Sequence, residues 1–557
     1  CGGVVDHPAR GDMTPLPDLR HVRATAGPVR DRRPVYVDLL PPCNAGCPAG
    51  ENIQAWLAHA EAGRHEQAWR QLTEDNPLPA IHGRVCYHPC EVVCNRASLD
   101  SAVSIHSVER FLGDLARDRG WTFDRPGWRS GKRVLVVGAG PSGLSAAYHL
   151  TRLGHEVEIA DVGDAPGGMM RYGIPAYRLP RDVLDAEIAR IEALGVSISR
   201  GHRITDLAEE RRDGGFDAVF VAVGAHLSKR VDIPARDAGR IVDAVSFLRS
   251  VASGERPVIG RRVAVYGGGN TAMDAARTAR RLGADDALIV YRRTREQMPA
   301  HEEEAEEAEQ EGVTINWLRT ITAFDGPQLT VEAMELDETG FPRPTGRFET
   351  LAADTVILAL GQDADTEFLR NLPGVEFAKD GTVRVSPTMM TGCPGVFAGG
   401  DMVPALRTVT VGVGHGKKAA RNIDAWLRGD GAKAPSPAKH DLVAFGQLNL
   451  WYFGDAAQRQ QPAEAPEQRT AGFSEVVGGL SEQEAVYEAQ RCLSCGNCCE
   501  CDGCLGACPE DAVIKLGPGR RYEFDYGKCT GCGVCYEQCP VHSIEMVGED
   551  SGMDAAP

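Results

Sequence analysis

Apolar and polar positions along the chain change rhythm several times. In residues 51–79, ENIQAWLAHAEAGRHEQAWRQLTEDNPLP, apolar side chains recur three and four apart, which predicts short amphipathic helices. Residues 132–161, KRVLVVGAGPSGLSAAYHLTRLGHEVEIAD, read as strand, glycine turn, helix and strand. Residues 261–293, RRVAVYGGGNTAMDAARTARRLGADDALIVYRR, repeat that order. The charge run HEEEAEEAEQEG at 301–312 has helical spacing and reads as a solvated helix before the strand VTINWL. Residues 429–470, rich in Ala, Pro and Gln, read as a surface linker, and SEQEAVYEAQ at 481–490 as a helix. No apolar run approaches the roughly 18 residues of a membrane helix, and no charged-then-apolar leader opens the sequence.

A length of 557 residues is too much for one core and fits several domains. The net charge of −18, with no basic stripe, argues against a nucleic-acid partner. Of 18 cysteines, five lie between Cys43 and Cys94 and eleven between Cys492 and Cys539. Disulfides are one reading of them. The C-x2-C and C-x3-C spacings and the size of the chain favour metal or cluster ligation in a reducing cytoplasm.

Cys498-x2-Cys501-x2-Cys504-x3-Cys508-Pro509 and Cys529-x2-Cys532-x2-Cys535-x3-Cys539-Pro540 repeat one pattern. This is the spacing of bacterial two-cluster ferredoxins, in which the fourth cysteine of each run ligates the other cluster. One 4Fe–4S cluster would use Cys498, Cys501, Cys504 and Cys539, the other Cys529, Cys532, Cys535 and Cys508. Zinc is the alternative. Cys499, beside Cys498, could take its place, and Cys393 in TGCPGVF reads as an ordinary small buried residue.

Gly138-x-Gly140-x-x-Gly143, with Pro141 and Ser142 inside the turn, lets a pyrophosphate approach the helix N-terminus, and Asp161 can bind a ribose hydroxyl. The second copy has Gly267-x-Gly269-x-x-Ala272, with Asn270 and Thr271 between. It ends on Arg292 and Arg293 instead of an acid. Arginine there suits a 2′-phosphate, which favours NADP(H) over NAD(H); a pair of surface arginines is the alternative reading.

The N-terminal runs PPCNAGCPAGENI and GRVCYHPCEVVCNRA resemble the cluster domain of the NADPH-dependent glutamate synthase small subunit. The same domain opens dihydropyrimidine dehydrogenase and the large subunit of NADH-dependent ferredoxin:NADP oxidoreductase. The resemblance covers roughly residues 40–430 and implies two 4Fe–4S clusters in a helical domain. The family's RCxxC element is absent before Cys43, but RCLSCG occurs at 491–496. The resemblance therefore implies that Cys492 and Cys495 fold back to join Cys43 and Cys94. Cys47, Cys86 and Cys90 would take the second cluster, with Glu109 as its fourth ligand. A zinc site at Cys492 and Cys495, or none, competes with this, as does a solvated Glu109.

The same resemblance implies FAD contacts at Gly167, Gly168, Met169, Tyr172, Gly173 and Ile174, and at Gly400 and Asp401 in GVFAGGD. It also implies that VTVGVGHGKKAARNI starts a helix facing the flavin. His415 reads as a structural residue in a glycine-rich turn.

The implied fold is α/β: a helical iron–sulfur domain, tandem Rossmann-like FAD and NAD(P) domains of disulfide-reductase type, and a ferredoxin-like α+β tail. Boundaries fall at 1–40 (N-terminal extension), 41–129 (helical cluster domain), 130–254 and 350–430 (two halves of the FAD domain), 255–349 (inserted NAD(P) domain), 431–480 (linker) and 481–557 (RCxxC element and ferredoxin domain). FAD, NADP or NAD and four 4Fe–4S clusters imply an electron-transfer oxidoreductase. The ferredoxin tail offers an outlet to a partner: a 2-oxoacid:ferredoxin-type oxidoreductase first, a glutamate synthase large subunit second, a free ferredoxin third. No catalytic residue for an organic substrate is evident.

Overall fold

The computed structural model describes residues 30–229, 233–236, 240–429 and 440–549. Cys1 lies outside them. The first dinucleotide unit is a five-stranded parallel sheet in the order Val396–Ala398, Ala218–Val221, Arg133–Val137, Glu156–Asp161 and Ser197–Arg200. The central strands are almost wholly buried runs of Val, Leu, Ala and Phe, as expected where helices cover both faces. Helix Pro141–Arg152 packs on this sheet and against Val409–Arg428, a 20-residue helix capped by the Thr408 side chain on Val411 N. His415 lies in this second helix, not in a turn, and its Nδ1 accepts from Gly400 N at 3.1 Å.

The inserted unit is a second parallel sheet, ordered Val313–Trp317, Asp286–Tyr291, Arg262–Tyr266, Thr355–Leu358 and Arg240–Asp243. Its strands Arg240–Asp243 and Thr355–Leu358 come from segments that the sequence reading assigned to the two halves of the FAD domain. The boundaries at 254 and 350 are therefore too narrow. Short apolar strands carry no local mark of which sheet they join.

The acidic helix Glu302–Gln310 is not solvated throughout. Glu304 is buried, and the adjoining Glu311 accepts from both Arg277 and Arg281 with all three side chains fully buried.

Helices Ile53–Glu61, His65–Thr73, Pro79–Val85 and Ile105–Asp118 build the N-terminal domain around Trp56, Trp69 and Leu72. Helix Glu482–Gln490, held by a Ser481–Glu484 capping box, packs on the first and last of these. In the tail, strand Ile544–Gly548 pairs antiparallel with Arg32–Tyr36, and Tyr36 stacks on Phe524 at 4.8 Å. Residues 32–36 thus belong to the ferredoxin-like module rather than to an extension. Residues 440–480 run over the surface, tied by the Leu40–Leu442 bridge and by Val476 N to Tyr177 O at 3.0 Å. Among the described residues, no helix is long and apolar enough to cross a membrane.

Removing one partner of a buried ion pair leaves an uncompensated charge, at a cost of about 3–5 kcal/mol. Glu311→Ala is expected to lower the stability of the inserted unit by that order, read as a lower denaturant midpoint with the iron content unchanged.

Candidate functional site

A large cleft opens between the two nucleotide units at the C-terminal ends of the first sheet's strands. Gly138, Gly140, Pro141, Ser142 and Asp161 line one side, and Gly168, Met169, Tyr172, Gly173 and Ile174 line another. Gly400 and Asp401 close it. Gly138 has φ +105°, and a Cβ at Gly143 would run into the Gly138 carbonyl oxygen, so the third glycine of the turn serves helix–strand contact. Gly140 differs: no protein atom lies within 4 Å of a Cβ built there, and the space belongs to the cleft. The Ser142 hydroxyl is buried without a partner among the described residues and lies in the first turn of the helix, where a phosphate would find a donor. Asp161 accepts from Ala139 N at 2.5 Å and Gly163 N at 2.6 Å, which holds its carboxylate at the rim. Burial pushes Asp401 up to about 6, against the pull of Arg407. Gly167 stays behind the cleft wall, its N–H on Ala139 O at 2.9 Å. These features fit a dinucleotide in the first unit.

In the inserted unit, Asn270 and Thr271 reach the same cleft, whereas Gly267, Gly269 and Ala272 do not line it. Gly267 has φ +149°, and a Cβ at Gly269 would again meet open space. Arg292 is exposed and free of hydrogen bonds and ion pairs among the described residues. Arg293 turns toward the Tyr291 hydroxyl, and its Nε is buried without a partner. Both arginines lie away from the cleft lining.

Two residues of the iron–sulfur domain, Val85 and Tyr87, also line the cleft and were not evident from sequence. Tyr87 OH donates to Glu304 at 3.2 Å and accepts from Asn270 Nδ2 at 2.6 Å, and its ring stacks on His301. Arg178, from the loop of the first unit, binds both Asp274 oxygens at 3.0 Å and also Glu304. Burial pushes Glu304 up to about 7 while Arg178 opposes it. The only sequence signal for this junction is Tyr87 directly following Cys86.

Cys86, between Val85 and Tyr87, faces the other way. It lines a cavity with Cys47, Cys90, Glu51, His82 and Glu109, and its Sγ accepts from Thr410 Oγ1 at 3.1 Å, in the first turn of the helix Val409–Arg428. A second cavity is lined by Cys43, Cys94, Cys492 and Cys495. One short helix, Pro42–Gly46 with Cys47 as its C-cap, divides Cys43 and Cys47 between the two cavities, as the C-x3-C step also does for Cys90 and Cys94. Cys508, Cys529, Cys532 and Cys535 line a third cavity. Cys498, Cys504 and Cys539 share an apolar cluster, with Cys501 close enough to repel Cys498. Cys499 donates its S–H to Cys501, which lowers Cys501 and raises Cys499. Cys393 is half-buried against the core of the first unit.

Burial raises Cys43, Cys47, Cys90 and Cys492, and neighbouring thiols add to it in each case. Such thiols ionise only where a cation compensates, and the irons of a cluster would. Of the two buried carboxylates in the Cys86 cavity, Glu51 has both oxygens engaged, by Asn76 at 3.0 Å and Trp56 at 3.3 Å. Glu109 accepts only at Oε1, from Asn76 at 2.8 Å, which leaves Oε2 free of hydrogen bonds among the described residues. Nearby His88, Glu91 and His106 also converge. Their imidazoles, however, stack at 3.6 Å and 20°, so the ring lone pairs run side by side rather than toward one ion, and Glu91 pairs with His106 at 2.8 Å.

Residues 132–416 match the family described as pyridine nucleotide-disulphide oxidoreductase. Residues 39–121 match dihydropyrimidine dehydrogenase domain II, 4Fe-4S cluster, and residues 522–545 match the 4Fe-4S binding domain. The chain is 37% identical over 501 residues to the NADP(+)-dependent formate dehydrogenase subunit beta of Moorella thermoacetica, covering 82% of this chain and 70% of that one. It is 33% identical over 506 residues to the NADPH-Fe(3+) oxidoreductase subunit beta of Geobacter sulfurreducens, covering 82% and 75%. It is 35% identical over 429 residues to the glutamate synthase [NADPH] small chain of Azospirillum brasilense, covering 72% and 88%.

Because a side chain at Gly140 would meet only cleft space, Gly140→Val is expected to fold normally yet purify with little or no flavin. Gly143→Ala, which strikes backbone, is expected to lose stability as well. Absorbance at the flavin bands and thermal unfolding separate the two.

Proposed function

This chain belongs to the pyridine nucleotide-disulphide oxidoreductase family, is an NAD(P)-dependent flavin and iron–sulfur electron-transfer subunit, and from that premise we propose which residues hold its cofactors and which partner it serves. FAD, when bound, supplies the exchange between hydride and single-electron chemistry. Gly140 would leave room for its pyrophosphate, Ser142 would donate to it, Asp161 would take a ribose hydroxyl, and Asp401 with the N-terminus of the Val409–Arg428 helix would complete the site. Asn270 and Thr271 present the nicotinamide nucleotide to the same cleft. Arg292, unpaired and exposed, is available to a 2′-phosphate, which favours NADP(H).

Four ligand sets would hold four 4Fe–4S clusters: Cys47, Cys86, Cys90 and Glu109; Cys43, Cys94, Cys492 and Cys495; Cys498, Cys501, Cys504 and Cys539; Cys529, Cys532, Cys535 and Cys508. The observation that carries this reading is their continuity. Val85 and Tyr87 face the cleft while Cys86 faces the first cavity. One helical turn joins the first cavity to the second. Cys495 and Cys498 are three residues apart, so their Cα atoms are separated by at most about 11 Å. The two tail sets exchange their fourth cysteines, and Cys532 is exposed at the end. This row gives the protein a wall of ligands from the cleft to the surface, where a partner would meet it.

That partner is proposed to be a 2-oxoacid:ferredoxin-type oxidoreductase, with this chain linking it to NAD(P) in the cytoplasm. A formate-oxidising subunit is the second reading, favoured by the 37% identity to a formate dehydrogenase beta subunit over a span beyond the length of the match to the glutamate synthase small chain. Anaerobic affinity purification from the native cell distinguishes them. A co-purifying thiamine-diphosphate oxidoreductase supports the first, a formate dehydrogenase catalytic subunit supports the second, and a glutamate synthase large subunit contradicts both.

Two variants test the residue assignments. Cys492→Ser is expected to lose one cluster's iron while both ferredoxin-type EPR signals stay, and full iron retention would refute the shared ligand set. Arg292→Ala is expected to raise KM for NADPH about tenfold, the equivalent of a charged hydrogen bond of about 1.4 kcal/mol, with KM for NADH unchanged. Equal effects on both nucleotides would refute the 2′-phosphate role.

A further inference from the structure

Among the described residues lining the cavity behind Cys86, one buried side-chain nitrogen is left without a partner, His82 Nε2. His82 lies in the helix Pro79–Val85, is 1% exposed, and lines this cavity with Cys47, Cys86, Cys90 and Glu109. Its tautomer follows from Asn76. The Asn76 Oδ1 accepts from Leu78 N at 3.0 Å, which fixes the amide and turns Nδ2, whose two hydrogens are shared among three acceptors, toward Glu51 Oε1 at 3.0 Å, Glu109 Oε1 at 2.8 Å and His82 Nδ1 at 2.8 Å. The flipped amide would set its carbonyl oxygen against two carboxylates. A hydrogen on His82 Nδ1 would collide with the amide hydrogens, so Nδ1 carries the lone pair and Nε2 carries the N–H.

That Nε2 is buried and has no hydrogen-bond partner among the described residues. A buried donor left unmade is costly and calls for an acceptor. Glu51 is already committed to Asn76 and Trp56, and Glu109 has one oxygen committed to Asn76. Glu109 keeps Oε2, which the ligand reading above gives to iron, and the other acceptors on the cavity side are sulfur: the thiolates of Cys47, Cys86 and Cys90, and the sulfides of a cluster they would hold.

We propose that His82 donates from Nε2 to a sulfur of the cluster held by Cys47, Cys86, Cys90 and Glu109 and thereby raises that cluster's potential. The proposal rests on the ligand reading given above for this cavity. A hydrogen bond to sulfur stabilises the more negative, reduced state, and such bonds are among the protein's means of setting cluster potentials. His82 is a positioning and tuning residue rather than a ligand, because its one lone pair is taken by Asn76. The location gives the effect its consequence. This cavity adjoins the cleft through Val85 and Tyr87, so the potential set here governs how readily electrons cross between the nucleotide cleft and the rest of the row.

The test compares wild-type, His82→Leu and His82→Gln chains, purified anaerobically, by iron content and EPR-monitored redox titration. Leucine fills a similar volume without a donor, and glutamine restores an N–H near the Nε2 position. The expected result is equal iron in all three, a lower midpoint potential for one cluster alone in His82→Leu, and a return toward the wild-type value in His82→Gln. Unchanged potentials in an iron-replete His82→Leu would overturn the proposal. Loss of one cluster's iron from both variants would also overturn it, because the imidazole would then be a ligand. The underlying cluster reading fails separately, if the wild-type protein shows no EPR signal that Cys86→Ser removes.

Discussion

A buried thiolate is tolerable only beside a cation, and that constraint ties this chain together. Cys43 and Cys94 come from the N-terminal domain, Cys492 and Cys495 from the far end, and all four line one apolar cavity with Leu57 and Ile105. Held without a metal, such thiols stay protonated and contribute little. Around iron, as proposed, they would become the strongest contacts between the two ends of the chain. The strand pair Arg32–Tyr36 with Ile544–Gly548 and the buried Arg491, hydrogen-bonded to Glu488, Asp100 and Ser101, brace the same junction from either side. On the proposed ligand set, cofactor loading and the docking of the tail would be one problem for this protein.

The second organising element is the cleft, which three domains share. The first unit supplies the glycine turn and Ser142, the inserted unit Asn270 and Thr271, and the iron–sulfur domain Val85 and Tyr87. The Arg178, Asp274, Glu304 and Tyr87 cluster fixes these against one another with charge-assisted bonds in a buried setting. The geometry places a nucleotide cleft and a cysteine-lined cavity on opposite faces of one three-residue segment.

Much of this was legible in the sequence because its signals are local. Glycine turns followed by a helix and C-x2-C runs closed by Cys-Pro each carry their signature within a few residues, whereas the RCLSCG element was read through the family resemblance. Long-range pairing left no such mark. Strand Arg240–Asp243 joins the inserted sheet, strand Arg32–Tyr36 joins the tail, and neither choice is written in the strand itself. The acidic helix read as solvated because charge spacing reports periodicity, whereas the burial of Glu304 and Glu311 depends on Arg178, Arg277 and Arg281 arriving from elsewhere. Tyr87 and His82 were missed for the same reason: their roles exist only once the cleft and the cavity are assembled around them.

The central claim is that four cysteine-rich ligand sets form one row from the nucleotide cleft to the exposed Cys532. Mössbauer spectroscopy of anaerobically prepared, iron-57-enriched protein, before and after NADPH, tests it most directly. The account predicts iron and sulfide for four 4Fe–4S clusters, one with a spectrum distinguished by a non-cysteine ligand, and reduction by NADPH that reaches the tail clusters. A protein carrying only the two ferredoxin-type clusters, left oxidised by NADPH, would contradict it.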